Sequence, residues 1–129
     1  MAGTLVANTI NTDTGLFTTN NAYLGIAKAW VNFNGGTGGT AGTINNSFNV
    51  SSVTVNATGK YTLNFTTAMP NANYAWSGGA YNSGGTGFGL LYLNNAISAA
   101  PTTTTFSFCI GSENSPYSTA ATAVTIFGS

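Results

Sequence analysis

Residues 51–65 read SSVTVNATGKYTLNF, two alternating runs on either side of a turn. In the first run Val53 and Val55 share a face with Thr54 opposite; in the second, Tyr61, Leu63 and Phe65 alternate with Thr62 and Asn64. Successive side chains of a strand point to opposite faces, so each run is a strand with one buried and one wet face. Asn56 to Lys60 between them holds Asn, Gly and small residues, the chemistry of a tight reversal. An antiparallel hairpin follows, with Val53, Val55, Tyr61, Leu63 and Phe65 as its core face.

The same period recurs on both sides of the hairpin. Upstream, Ala29, Val31 and Phe33 alternate with Lys28, Trp30, Asn32 and Asn34, and a further strand falls near residues 44–49. Downstream, 73–78 is extended with Tyr74 and Trp76 on one side, after a break at Pro70. Segments 89–95, 103–111 and 122–128 follow; Phe106, Phe108 and Ile110 share a face, as do Val124 and Ile126. Glycine-rich stretches at 35–42 and 78–88 read as loops. The pattern predicts an all-β domain over residues 27–129, an antiparallel β-sandwich or open barrel of about seven or eight short strands. Residues 1–26 sustain neither period and predict an extended N-terminal arm, anchored elsewhere through Leu5, Val6, Ile10, Leu16 and Phe17.

The chain has 129 residues, of which 43% are hydrophobic and only 3% charged, against about a quarter in ordinary domains. Asp13, Lys28, Lys60 and Glu113 are its four charges, and they cancel. Two lysines and no arginine cannot neutralise a run of phosphates, which excludes an electrostatic nucleic-acid interface and a polybasic membrane patch. No apolar run is long enough for a membrane helix, and MAGTLVANT lacks the basic start and apolar core of a signal peptide. With one thiol, Cys109, the chain forms no internal disulfide and suits a reducing cytoplasm. The Asn-x-Ser/Thr sequons at Asn45, Asn49, Asn56 and Asn64 read as by-products of an Asn/Thr-rich composition. Soluble β proteins use charge to guard exposed sheet edges. This chain has almost none to place, so the expectation is that other subunits cover those edges.

Catalysis has little to work with. Histidine, the commonest general base and metal ligand, is absent, and the carboxylates Asp13 and Glu113 lie far apart in sequence. No base stands ready to activate a serine. Cys109 sits between Phe108 and Ile110, the setting of a buried or interface thiol and not a nucleophile. The expectation is a non-enzyme without cofactor or metal. Neutral sugar binding remains open, because aromatic faces with amide and hydroxyl groups suit it; Trp76, Tyr81 and Tyr117 are the candidate contacts. Trp30, on the strand face opposite the core and beside Lys28, is the candidate subunit interface.

AKAWVNFN (27–34) and SFNVSSVTVNATGKYTLNFTTAMPNANYAW (47–76) resemble a β domain of tailed-phage virion proteins, especially of marine cyanophages, where it ends tail-fibre-like chains. AGTLVANTINTDTG (2–15) is also similar to the start of small structural proteins of such phages, whereas 78–129 is similar only in style. The chain departs from the pattern where charge is expected: GGTGGTAGTINN precedes SFNV, and Asn71 stands in place of an aspartate. The resemblance implies a virion structural protein, made in the bacterial host cytoplasm without export by a signal peptide. It implies a homotrimer forming a short exposed fibre-like appendage or tip, joined to other virion proteins through the arm. A capsid decoration protein and a host-glycan-binding adhesin are the alternatives.

Overall fold

The computed structural model describes residues 3, 9–12, 15–18, 25–35, 41–81, 89–93, 99–112, 115–116 and 121–128. Its elements in chain order are β1 Thr9–Thr12, β2 Gly15–Thr18, β3 Ala29–Asn34, β4 Thr43–Phe48, β5 Val50–Ala57, β6 Lys60–Phe65, β7 Ala75–Tyr81, β8 Gly89–Tyr92, β9 Thr105–Ser112, β10 Ser115–Pro116 and β11 Ala121–Phe127. Every recorded pairing is antiparallel.

The hairpin of 51–65 forms as its alternation predicts. Val53 faces Leu63, Thr54 faces Thr62 and Val55 faces Tyr61 across β5 and β6. Gly59 at the reversal takes φ 67°, a left-handed conformation that glycine adopts without a Cβ penalty. All five predicted core side chains are buried.

The main sheet runs β4-β3-β11-β7-β8-β9-β6-β5, with β10 added beside β9. Its two ends then meet. Gly42, just before β4, bridges Val53 of β5 and donates its N–H to the Val53 carbonyl at 3.1 Å. A Cβ at Gly42 would lie 3.0 Å from Val53 Cγ1 and 3.2 Å from Phe33 Cδ2, so the seam closes this tightly around a residue without a side chain. The fold is thus a nearly closed antiparallel barrel, the open-barrel form of the expected class. Closure removes sheet edges. The expectation that other subunits cover sheet edges is thereby narrowed, in the main sheet, to β4 and β5, which meet at the Gly42–Val53 bridge and leave the rest of their seam unpaired among the described residues.

Rings fill the interior. Phe33 packs edge-on against Tyr61 at 5.1 Å, Tyr61 meets Phe108 at 5.7 Å, and Phe108 stacks on Phe106 at 5.4 Å. Phe106 continues to Tyr74 and Trp76, and Tyr74 to Phe65. Ala29, Val31, Val124 and Ile126 pack around this column. Each such ring pair adds about 1 kcal/mol beyond the area it buries.

Some boundaries differ from the sequence reading. Ser77–Tyr81, read mostly as a glycine-rich loop, continues β7, because Gly78 and Gly79 pair with Val124 and Ala123 of β11. Between the strands expected near 44–49 and 52–56, a single residue, Asn49, makes the corner. Within the expected extended arm, β1 and β2 pair as a separate two-stranded sheet, Ile10 opposite Phe17. A hairpin there shortens the reach of residues 1–26 from roughly 85 Å to about 60 Å at most.

Candidate interaction surfaces

The outer face of β4-β3-β11-β7 carries the residues that pair opposite one another with side chains away from the core. Trp30 stands between Phe48 of β4 and Thr125 of β11, and Thr125 is opposite Ser77 of β7. The next row is Asn46, Asn32, Ala123, Gly79 and Leu90. Small side chains keep this surface low, while Phe48 and Leu90 stand 54% and 63% exposed. Trp30 faces outward as its place in the alternation predicts, half-buried beside its neighbours. Lys28 is also half-buried, its N–H donating to the Ile126 carbonyl at 2.8 Å. It helps line a shallow, largely apolar groove of about 370 Å³ with Ile26, Phe48, Met69 and Pro70.

Sequence reasoning missed Phe48. Strict alternation places Ile44, Asn46 and Phe48 on one face, yet Ile44 packs against the core and Phe48 points out. The cause is a bulge: Phe33 pairs with Ile44 and Asn32 with Asn46, leaving Asn45 extra on β4. One inserted residue reverses the phase of everything beyond it. Asn45 is held outward, its amide donating to Oδ1 of Asn32 at 2.7 Å and of Asn34 at 3.1 Å.

The corner at Asn49 supports this face. Its φ of 56° is left-handed, a region that asparagine tolerates better than most residues. Asn49 Nδ2 donates to the carbonyls of Lys28 and Thr67 at 3.0 and 3.1 Å, and its Oδ1 accepts from the Thr67 N–H at 2.7 Å. One amide thereby ties β3, the β4–β5 corner and the segment after β6 together.

The outer face of β5-β6-β9 is polar and cross-linked. Asn64 Nδ2 donates to Ser52 Oγ at 3.0 Å and Thr54 Oγ1 at 3.1 Å, and Ser51 Oγ donates to the Asn64 carbonyl. Asn56 Nδ2 donates to Thr62 Oγ1, which shares a 2.8 Å hydrogen bond with Ser107 Oγ. Amides and hydroxyls here serve where most proteins place ion pairs. Cys109 and Tyr92 continue this side of the sheet, paired across β8 and β9. Cys109 is fully buried, and burial raises its thiol pKa above the ordinary value, opposed by the nearby Lys60 ammonium.

The structure separates the candidate sugar contacts. Trp76 turns inward, its ring 5.6 Å from Phe106, whereas Tyr81 points outward from the same strand at 67% exposure. Tyr117 lies outside the described residues, as do Leu5 and Val6 of the arm. Ile10, Leu16 and Phe17 are described as strand positions only.

These features define a small antiparallel barrel protein with one low outer face, on which Trp30, Phe48 and Leu90 stand among amide and small side chains, and one polar face cross-linked by neutral hydrogen bonds. Comparison with known protein families, curated proteins and solved structures yields no match.

Proposed function

We propose that the chain is a non-enzymatic structural subunit of a phage virion, a short exposed fibre-like appendage assembled as a homotrimer. The observation that carries this reading is the uncharged row of Phe48 and Trp30 on the outer barrel face, continuous with the groove at Ile26 and Pro70. Apolar surface of this kind, in a chain with no net charge to repel a copy of itself, favours association. The resemblance of residues 27–34 and 47–76 to tailed-phage virion domains supplies the virion and the trimer. Residues 1–26 join the subunit to other virion proteins.

Mass measurement of the purified protein at micromolar concentration tests the assembly. A trimer is expected, and Trp30→Ala is expected to shift it towards monomer while leaving the barrel folded. A wild-type monomer would sink the proposal. Deleting residues 2–25 should abolish incorporation into particles without unfolding the barrel. Density for the subunit on the head in a particle reconstruction would make it a capsid decoration instead.

A further inference from the structure

Between the outer faces of β5, β6 and β9 lies a cavity of about 290 Å³, lined by Asn56, Lys60, Thr62, Ala99 and Ser107 and backed by Tyr61 and Phe108. It is apart from the Trp30 face, and the sequence reading used none of these residues for binding. Ser107 is 8% exposed and forms part of the floor, while Asn56 stands at the rim. Among the described residues, the hydrogen bonds here do not use every group. Asn56 Nδ2 gives one of its two protons to Thr62 Oγ1, and one proton is shared between Thr62 and Ser107. Two hydroxyls carry two protons, so whichever donates, the other hydroxyl proton remains available. Asn56 likewise keeps one N–H and its Oδ1. The cavity therefore offers a free hydroxyl donor, an amide donor and acceptor, and the Lys60 ammonium.

Lys28 and Lys60 are the only charged side chains among the described residues, and no carboxylate opposes Lys60 in this lining. The neighbouring Cys109 is held as the neutral thiol by burial. A positive charge beside neutral donors and acceptors fits an anion that is itself hydroxylated. The volume lies near the lower bound of small-ligand cavities, room for one ring and little more.

From this we infer that the cavity binds a single hexuronic acid residue, its carboxylate on Lys60 and its ring hydroxyls on Asn56, Thr62 and Ser107. The inference does not rest on the assembly role, since it holds for monomer and trimer alike. Titration of the full chain with sodium glucuronate, followed by NMR or calorimetry, tests it against glucose and sodium acetate. Saturable binding of glucuronate, tighter than either control, is expected. Lys60→Gln should weaken glucuronate binding about tenfold or more and leave glucose unaffected, because a charge-assisted hydrogen bond is lost. Ser107→Ala should weaken both sugars; a thermal melt of each variant reports whether the barrel persists. No saturable glucuronate binding, acetate binding as tight as glucuronate, or an unchanged affinity in folded Lys60→Gln would each overturn the assignment.

Discussion

Asn49 shows how one side chain can hold a corner. A residue with a Cβ and no local hydrogen bond is disfavoured at φ 56° by roughly 1–2 kcal/mol. The three side-chain hydrogen bonds of Asn49 add about 1 kcal/mol each at most. Asn49→Gly keeps the backbone and loses the bonds, so denaturant unfolding should record a loss of about 1–2 kcal/mol. Asn49→Ala should lose about 1 kcal/mol more. Tyr74 gives a prediction in pH. Its hydroxyl donates towards the carbonyls of Thr102 and Thr105 at 3.1 Å, and burial pushes its pKa from the ordinary 10.0 up to about 12. Above pH 10 the unfolded chain has released this proton while the folded chain keeps it, so stability falls as pH rises from 10 to 12. Below pH 10 the contribution is fully present, and Tyr74→Phe should flatten the alkaline decline in a melting series. Tyr61 makes the opposite case: its hydroxyl is buried in the core and has no hydrogen-bond partner among the described residues. Tyr61→Phe removes an unsatisfied polar atom and should leave stability unchanged or raise it by about 1 kcal/mol in the same unfolding assay.

At the scale of elements, the bulge in β4 is the decisive irregularity. Deleting Asn45 would make the pairing with β3 regular while leaving Ile44 and Ser47 inward and Phe48 outward, at the loss of the Asn45 amide bonds to Asn32 and Asn34. Equilibrium unfolding should therefore record a change of about 1 kcal/mol at most, and a larger loss would show that the bulge itself is needed. This element also marks where sequence reasoning stopped. The hairpin of β5 and β6 was legible because alternation and turn chemistry agree over consecutive residues. The outward turn of Trp30 was legible for the same reason, since β3 alternates without interruption. Phe48 was not, because its phase depends on an extra residue that is visible only against the partner strand. Ser77–Tyr81 looked like a loop because glycine carries no side chain to display a period. The cavity brings Lys60 and Thr62 of β6 beside Ser107 of β9, and no local pattern announces that strand pairing.

For the whole molecule, the barrel shows what replaces charge. The Asn, Thr and Ser ladders of β5-β6-β9 and the Asn32, Asn34 and Asn45 cluster satisfy the outer surface with neutral hydrogen bonds. Salt screens ion pairs and hardly touches such bonds. Unfolding free energy should therefore stay within about 0.5 kcal/mol between low salt and about 0.5 M sodium chloride. A marked loss at low salt, measured by chemical denaturation, would instead indicate specific ion binding.

The strand order has a consequence in time. β11 lies between β3 and β7, joining Ala29 to Ile126 and Gly78 to Val124. While the chain is being translated, β3 and β7 wait with exposed edges until residues 121–127 clear the ribosome exit tunnel. The hairpin of β5 and β6 can form early, but the cylinder is completed only after synthesis has passed its last strand. Such late, long-range pairing places refolding in the range of milliseconds to seconds. During that interval a nascent chain with hardly any charge depends on speed, or on a chaperone, to reach its closed form before it meets another.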